Sequence, residues 1–182
     1  ECECGAKKDE KAHTYVPNVV EATCNAEGYT EYTCECGHSY IDEESKTPKL
    51  QHIDENIDIL CDHGCGKKVI PATGSTLTIT HAINLVLSNM SLYSYKFYLE
   101  GTITEITDYT NGGMYISDGT ATFFIRISKN SDGTINYKSL DIKHVVGDKI
   151  RVYGKIEKST ASPYNPQMAE GWVVVLEQHT HE

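Results

Sequence analysis

No apolar run in this chain approaches the roughly 18 residues needed to cross a bilayer, which excludes a membrane-spanning helix. Basic residues are scarce as well. Sixteen Lys plus Arg stand against 26 Asp plus Glu, giving a net charge of −10 and an isoelectric point near 5.2. A generic nucleic-acid binder carries the opposite balance. Cysteine is absent after Cys65. The start, Glu1-Cys2-Glu3-Cys4, is neither a Met start nor a signal peptide, so the chain reads as a piece excised from a longer protein. No Ser/His/Asp, paired-carboxylate or phosphate-loop arrangement is present, and the reading is therefore not an enzyme. What remains is 182 residues, 39% of them hydrophobic, which suits one or two domains of ordinary size.

The two ends differ in character. Residues 1–74 hold 7 Lys/Arg and 15 Asp/Glu, a net of −8, whereas residues 75–182 hold 9 and 11, a net of −2. All seven cysteines fall in the first part, and most of the β-branched and aromatic patterning falls in the second. Pro71-Ala-Thr-Gly-Ser75 lies between them and reads as a connection. The expected organisation is a Cys/His-rich, zinc-ribbon-like repeat region over 1–70, a linker over 71–76 and an OB-fold-like barrel over 77–178. Residues 179–182 then form a tail or the start of a further repeat. The first part repeats itself: Glu1-Cys2-Glu3-Cys4-Gly5 returns as Thr33-Cys34-Glu35-Cys36-Gly37, each copy followed by a His (His13, His52) and a Cys (Cys24, Cys61). Repeats this short have little core and need a covalent or metal staple.

In the second part Ile79, Ala82, Ile83, Val86 and Met90 form one apolar stripe at helical spacing, with Thr78 as N-cap. Strands are predicted over 98–107, 114–117, 121–127, 145–158 and 172–176, with a hairpin turn at Asp118-Gly119 and a turn at Gly147-Asp148. Residues 137–142 read as a short helix between the third and fourth strands. The predicted fold class is thus mainly β, a small metal-stapled Cys/His-rich domain followed by a five-stranded OB-fold barrel with an N-terminal helix. Alternation puts Phe123, Ile125, Ile127, Ile150, Val152 and Ile156 in its core.

Seven cysteines are either disulfides or metal ligands. Secretion favours disulfides. The odd count and the pattern favour metal: Cys34-Glu-Cys36-Gly37 and Cys61-Asp-His-Gly-Cys65-Gly66 look like metal knuckles, and a Cys-x-Cys bridge would close a small strained ring. Zinc suits mixed Cys/His tetrahedra, and four protein ligands with no open position make a structural site. Two such sites are expected from Cys2, Cys4, His13, Cys24, Cys34, Cys36, His52, Cys61 and Cys65. One grouping joins Cys2, Cys4, His13 and Cys24, leaving Cys34, Cys36, Cys61 and Cys65 for the other site. A local grouping joins His13, Cys24, Cys34 and Cys36, and leaves His52, Cys61 and Cys65 one ligand short. The first is preferred. His38 and His63 read as solvated loop histidines. Asp54, Asn56, Asp58 and Asp62 stand at positions 1, 3, 5 and 9 of a calcium-type loop, although Ile59 replaces the usual Gly at position 6. Tyr115, Phe124, Arg126, Arg151 and Tyr153 put aromatics beside cations on the faces opposite the core, a pattern suited to single-stranded nucleic acid or glycan.

Residues 1–66 resemble the Cys/His-rich repeats of large surface proteins from gut Firmicutes. The likeness rests on Cys-x-Cys-Gly, His13-Thr-Tyr15, Thr-Cys24-x4-Tyr29, Tyr32-Thr-Cys-x-Cys-Gly37, His52-Ile-Asp-x-Asn-x-Asp58 and Cys61-Asp62. Residues 76–177 are similar to the OB-fold module found in the same proteins and beside secreted bacterial nucleases, through Tyr98-Leu-Glu-Gly101-Thr-Ile, Met114-Tyr-Ile-Ser-Asp-Gly119, Val146-Gly-Asp-Lys-Ile-Arg-Val-Tyr-Gly154 and Pro166-Gln-Met168. The resemblance implies an accessory role on the cell surface or in secretion, with other domains of a larger parent as partners and any catalytic domain elsewhere in it. Self-association fits the same picture.

Overall fold

The computed structural model describes residues 13–130, 144–160 and 166–179. The expected helix over 137–142 and the ligands Cys2 and Cys4 lie outside them, as do residues 180–182. The contacts divide the chain into two units. The first runs to Ile53 and includes Cys61–Lys67; the second holds Asp54–Leu60 and everything from Lys68 onward.

The first unit is a three-stranded antiparallel sheet in the order β1-β2-β3, with β1 at Tyr15–Val20, β2 at Gly28–Cys34 and β3 at Ser39–Thr47. Pro17 has no amide hydrogen to give a ladder, and accordingly it sits on an outer strand. Neither β1 nor β3 has a buried residue. Both faces are wet, so burial alone does not account for this sheet. Thr23 closes the β1–β2 turn, its hydroxyl accepting from the Asn25 and Ala26 amides at 3.2 and 3.0 Å.

The second unit begins with β4 (Thr76–Leu77) and helix α1 (Ile79–Leu87), then β5 (Phe97–Asp108), β6 (Gly113–Ser117), β7 (Thr122–Ile125), β8 (Ser128–Lys129), β9 (Lys149–Lys158) and β10 (Pro166–Glu177). The Thr78 hydroxyl caps α1 by accepting from the His81 amide, and Ile79, Ala82, Leu85 and Val86 are buried along one stripe. β5 pairs β6, β6 pairs β7, β7 runs parallel to β10, β10 pairs β9, and β9 pairs β5. The hydrogen-bonded circuit therefore returns to its starting strand. Inside it lie Phe97, Leu99, Ile103, Met114, Ile116, Phe123, Ile125, Ile150, Val152, Ile156 and Met168, all essentially inaccessible. Ile127 is the exception to the expected core. The chain bends between β7 and β8 there, and the side chain stays half-exposed.

Asp118 does more than turn the β6–β7 hairpin. Its Oδ2 accepts from the Ile79 amide at 2.9 Å, and its Oδ1 accepts from the Thr120 and Ala121 amides and the Thr120 hydroxyl. Partial burial pushes this carboxyl up, but those bonds outweigh it and hold it at about 2. A single carboxylate thus fixes both the hairpin and the start of α1.

Candidate metal centres

The sheet register determines which thiols meet. Tyr15 pairs with Cys34, so His13, two residues before β1 proper, lies beside the β2–β3 turn that carries Cys34 and Cys36. The His13 Nδ1 is 3.3 Å from both Sγ atoms. The turn is a tight knuckle. The Gly37 amide donates to the Cys34 carbonyl at 2.9 Å, the Cys34 amide to the His38 carbonyl at 2.9 Å, and the Cys36 amide to the Cys34 Sγ at 3.3 Å. Gly37 adopts a φ of 85°, a conformation costly for residues with a Cβ.

At the other end of the sheet, Cys24 in the β1–β2 loop meets His52, Cys61 and Cys65. Their four donor atoms lie within 4.8 Å of one another, as do those of His13, Cys34 and Cys36. Cys24 Sγ is 3.7 Å from Cys61 Sγ, and His52 Nδ1 is 3.4 Å from Cys61 Sγ and 3.3 Å from Cys65 Sγ. The Cys61 segment repeats the knuckle, its Gly64 amide bonding the Cys61 carbonyl at 2.9 Å and its Cys61 amide the Lys67 carbonyl at 2.9 Å. Leu50, whose amide bonds the Thr23 carbonyl at 3.0 Å, ties the approach to His52 to the loop holding Cys24.

All five described cysteines are free thiols. A disulfide needs sulfurs about 2.05 Å apart, whereas these separations are those of donors around one shared ion. Both clusters can hold a metal ion. Their charge points the same way. Burial and the neighbouring Cys65 and Cys61 push the Cys24 thiol up to about 11. Burial also pushes Cys61 up, but the His52 ring, the His63 and Ile53 amides and Cys65 outweigh it and draw that thiol down to about 6. The cluster alone thus favours a thiolate at Cys61 and a thiol at Cys24, and a cation is what would let Cys24 ionise.

The clusters break the preferred grouping and depart from the local one only in Cys24, which completes the His52, Cys61 and Cys65 set instead of joining His13, Cys34 and Cys36. Cys24 stands with His52, Cys61 and Cys65 rather than with His13, and Cys34 and Cys36 stand with His13 rather than with Cys61 and Cys65. His38 accepts the Tyr15 hydroxyl on Nδ1 at 2.9 Å or donates to it, beside the first cluster rather than in it.

The acidic segment is organised differently. Asp54 accepts from the Asp58 and Ile59 amides, Asn56 from the Asp58 amide and Asp58 from the Leu60 amide, and the Asp54 Oδ2 also lies 3.6 Å from the His81 Nε2 on α1. Ile59 takes the left-handed φ of 73° that the position requires of a Gly, and its buried side chain joins the core of the second unit. Asp62 belongs to the first unit, where its amide bonds the Ile53 carbonyl.

The aromatic and basic residues separate into two places. Tyr115 and Phe124 face each other across β6 and β7, ring centroids 4.9 Å apart. Tyr153 packs on Tyr98 at 4.5 Å across β9 and β5, with Arg151 bonded to Glu100 at 2.7 Å. Along β5 the partners of Tyr153 and Tyr115 are Tyr98 and Glu105, seven residues or about 23 Å apart. Arg126, exposed, follows β7. Trp172, unassigned from the sequence, continues the second group. It pairs with Tyr153 across β10 and β9, and the Lys96 and Lys129 ammonium groups lie 4.9 and 5.1 Å from its ring. The ladder Tyr98–Tyr153–Trp172 depends on register across three strands, which no local pattern encodes.

Neither the known protein families nor the curated proteins compared with this chain contain a match to it.

Proposed function

We propose that this chain is a non-enzymatic structural module of an extracellular bacterial surface protein. In this reading a zinc-stapled sheet acts as a spacer, and an OB-fold barrel acts as a scaffold. The observation that carries it is the cluster Cys24/His52/Cys61/Cys65. Tetrahedral zinc with bonds of about 2.3 Å to sulfur and about 2.0–2.1 Å to nitrogen places ligand atoms roughly 3.5–3.8 Å apart. The separations of 3.3 to 3.7 Å lie close to that. Four protein donors also leave no position for a reacting water, which is the mark of a structural site. The OB-fold reading is supported by the circuit β5-β6-β7-β10-β9-β5 with its parallel β7–β10 step. The surface location rests on the family resemblance. Native mass spectrometry of the reduced chain, with a free-thiol count after unfolding, is the test. Two zinc ions and seven free thiols are expected. No bound metal together with fewer free thiols would overturn the metal reading in favour of disulfides.

A second reading, a binding module for single-stranded nucleic acid or glycan, is favoured by the aromatic ladder with its flanking lysines. Affinity electrophoresis against immobilised oligonucleotide and polysaccharide discriminates the two places. Tyr153→Ala with Trp172→Ala is expected to lose retention, while Phe124→Ala with Arg126→Ala reports on the β6–β7 pair. Retention unchanged by both double variants removes the reading.

A further inference from the structure

We infer that the two Cys/His clusters load metal cooperatively, with β2 as the element that couples them. The inference rests on the metal reading of both clusters and adds how each site governs the other. Within residues 13–53 the buried positions are Cys24, Gly28 and Cys34. Two of the three are cluster thiols, and they flank β2, Cys24 four residues before its start and Cys34 at its end. The sheet between them has no apolar core. Its strands are held by backbone pairing, six consecutive β1–β2 pairs from Tyr15 with Cys34 to Val20 with Tyr29, and by the unburied rings of Tyr15, Tyr32 and Tyr40, whose centroids lie 5.0 and 5.2 Å apart across the strands. Such a sheet does not hold itself against the ordering entropy of its residues.

Ligation therefore sets the ladder. An ion on Cys24, His52, Cys61 and Cys65 fixes the β1–β2 loop and, through the Thr23–Leu50 bond, the chain leaving β3. The same ladder at its far end places His13 opposite Cys34 and Cys36. A register slip of one residue would turn Cys34 to the other face and break that cluster. The first ion to bind thus orders the sheet, and the second binds to a ladder already formed. This is positive coupling through lost conformational entropy. Linkage requires it to be reciprocal. Both sites call for a thiophilic cation of tetrahedral preference, for which Co²⁺ is a spectroscopic stand-in.

The test is Co²⁺ titration of the full 182-residue chain, reduced and anaerobic, followed by thiolate-to-metal charge-transfer absorption. Cys65→Ser disables the four-donor cluster and Cys36→Ser the other. Each variant is expected to weaken Co²⁺ at the remaining cluster by on the order of 10-fold or more, by the same factor in both directions. Affinities unchanged in both variants would overturn the coupling and leave the metal reading standing. A loss in one direction only would overturn it as well, because it breaks reciprocity. A sheet still disordered at saturating Co²⁺ does the same, since a coupled site fills once the ion is concentrated enough. An unaltered chain that takes up no Co²⁺ would instead remove the metal reading itself.

Discussion

Stripping metal from the reduced chain will melt β1–β3 and leave α1 and β4–β10 folded. The asymmetry follows from where each unit keeps its buried surface. The second unit encloses eleven large side chains that are essentially inaccessible, among them Phe97, Phe123, Leu99 and Met168, and each contributes roughly 1.5–3 kcal/mol by burial. The sheet of the first unit has no such set; its ends are pinned by thiols and imidazoles. For small domains of that kind the binding energy of a structural metal, about 10–16 kcal/mol, is folding energy. Without the ion, burial and the neighbouring thiols hold the Cys24 thiol up at about 11, so this ligand ionises readily only when a cation is present. Hydrogen exchange on the reduced chain, with and without a chelator, checks this directly. Amides of β1–β3 should exchange at nearly unprotected rates after chelation while those of β5, β6 and β9 keep their protection. Protected β1–β3 amides in the chelated, reduced chain would mean that the sheet holds itself by some other means.

Local signals in the sequence located the elements of the second unit well. The stripe from Ile79 to Val86 is periodic over consecutive turns, and Asp118-Gly119 is a hairpin turn whatever surrounds it. β10 was less legible. It begins at Pro166, six residues before the expected Trp172, because the register shift between Met168 and Gly171 breaks the alternation by which a strand is recognised. The zinc-ribbon-like reading of the first part did not delimit the three strands of its sheet. Tyr-Val-Pro-Asn-Val-Val and Ser-Tyr-Ile-Asp-Glu-Glu carry no alternation of buried and exposed positions, since neither strand faces a core. The helix-capping role of Asp118 joins residues 39 apart, beyond the reach of any local rule.

The ligand types were readable from the Cys-x-Cys-Gly spacing, and the local grouping joins His13, Cys34 and Cys36 as the structure does, but neither grouping places Cys24 with His52, Cys61 and Cys65. The local grouping required Cys24 to meet Cys34. β2 lies between them, and its seven residues, about 23 Å of strand, send the two thiols to opposite ends of the sheet. The preferred grouping required the two knuckles to face each other. They do not, because the Leu50–Thr23 bond and the return of the chain at Cys61 bring the second knuckle to the Cys24 end. The wider Cys61-x3-Cys65 spacing turns out to be compatible with a knuckle. The same amide-to-carbonyl bond forms three residues after the first Cys in both, and the second Cys simply follows Gly64 instead of preceding Gly37.

Gly154→Ala will destabilise the second unit more than most single exposed-surface changes could. Gly154 faces Gly171 across β9 and β10, at the register shift where the Met168 side chain turns inward. A Cβ at Gly154 would run into the Glu170 carbonyl oxygen and come within 2.7 Å of the Met168 sulfur. The sulfur belongs to a flexible side chain and can yield. The carbonyl is backbone in a paired strand, so relief requires β10 to shift where it closes the circuit with β9. Overpacking of this kind costs about 3 kcal/mol, at the upper end of what small-to-large changes show. A loss of that size lowers the melting temperature by roughly 10 °C or more for a unit of about 120 residues. Thermal unfolding of the metal-loaded variant, followed at Trp172, measures it. A melting temperature within a degree or two of the parent would mean that β10 moves freely at Glu170, and with it the claim that the β9–β10 step is rigidly closed would fall.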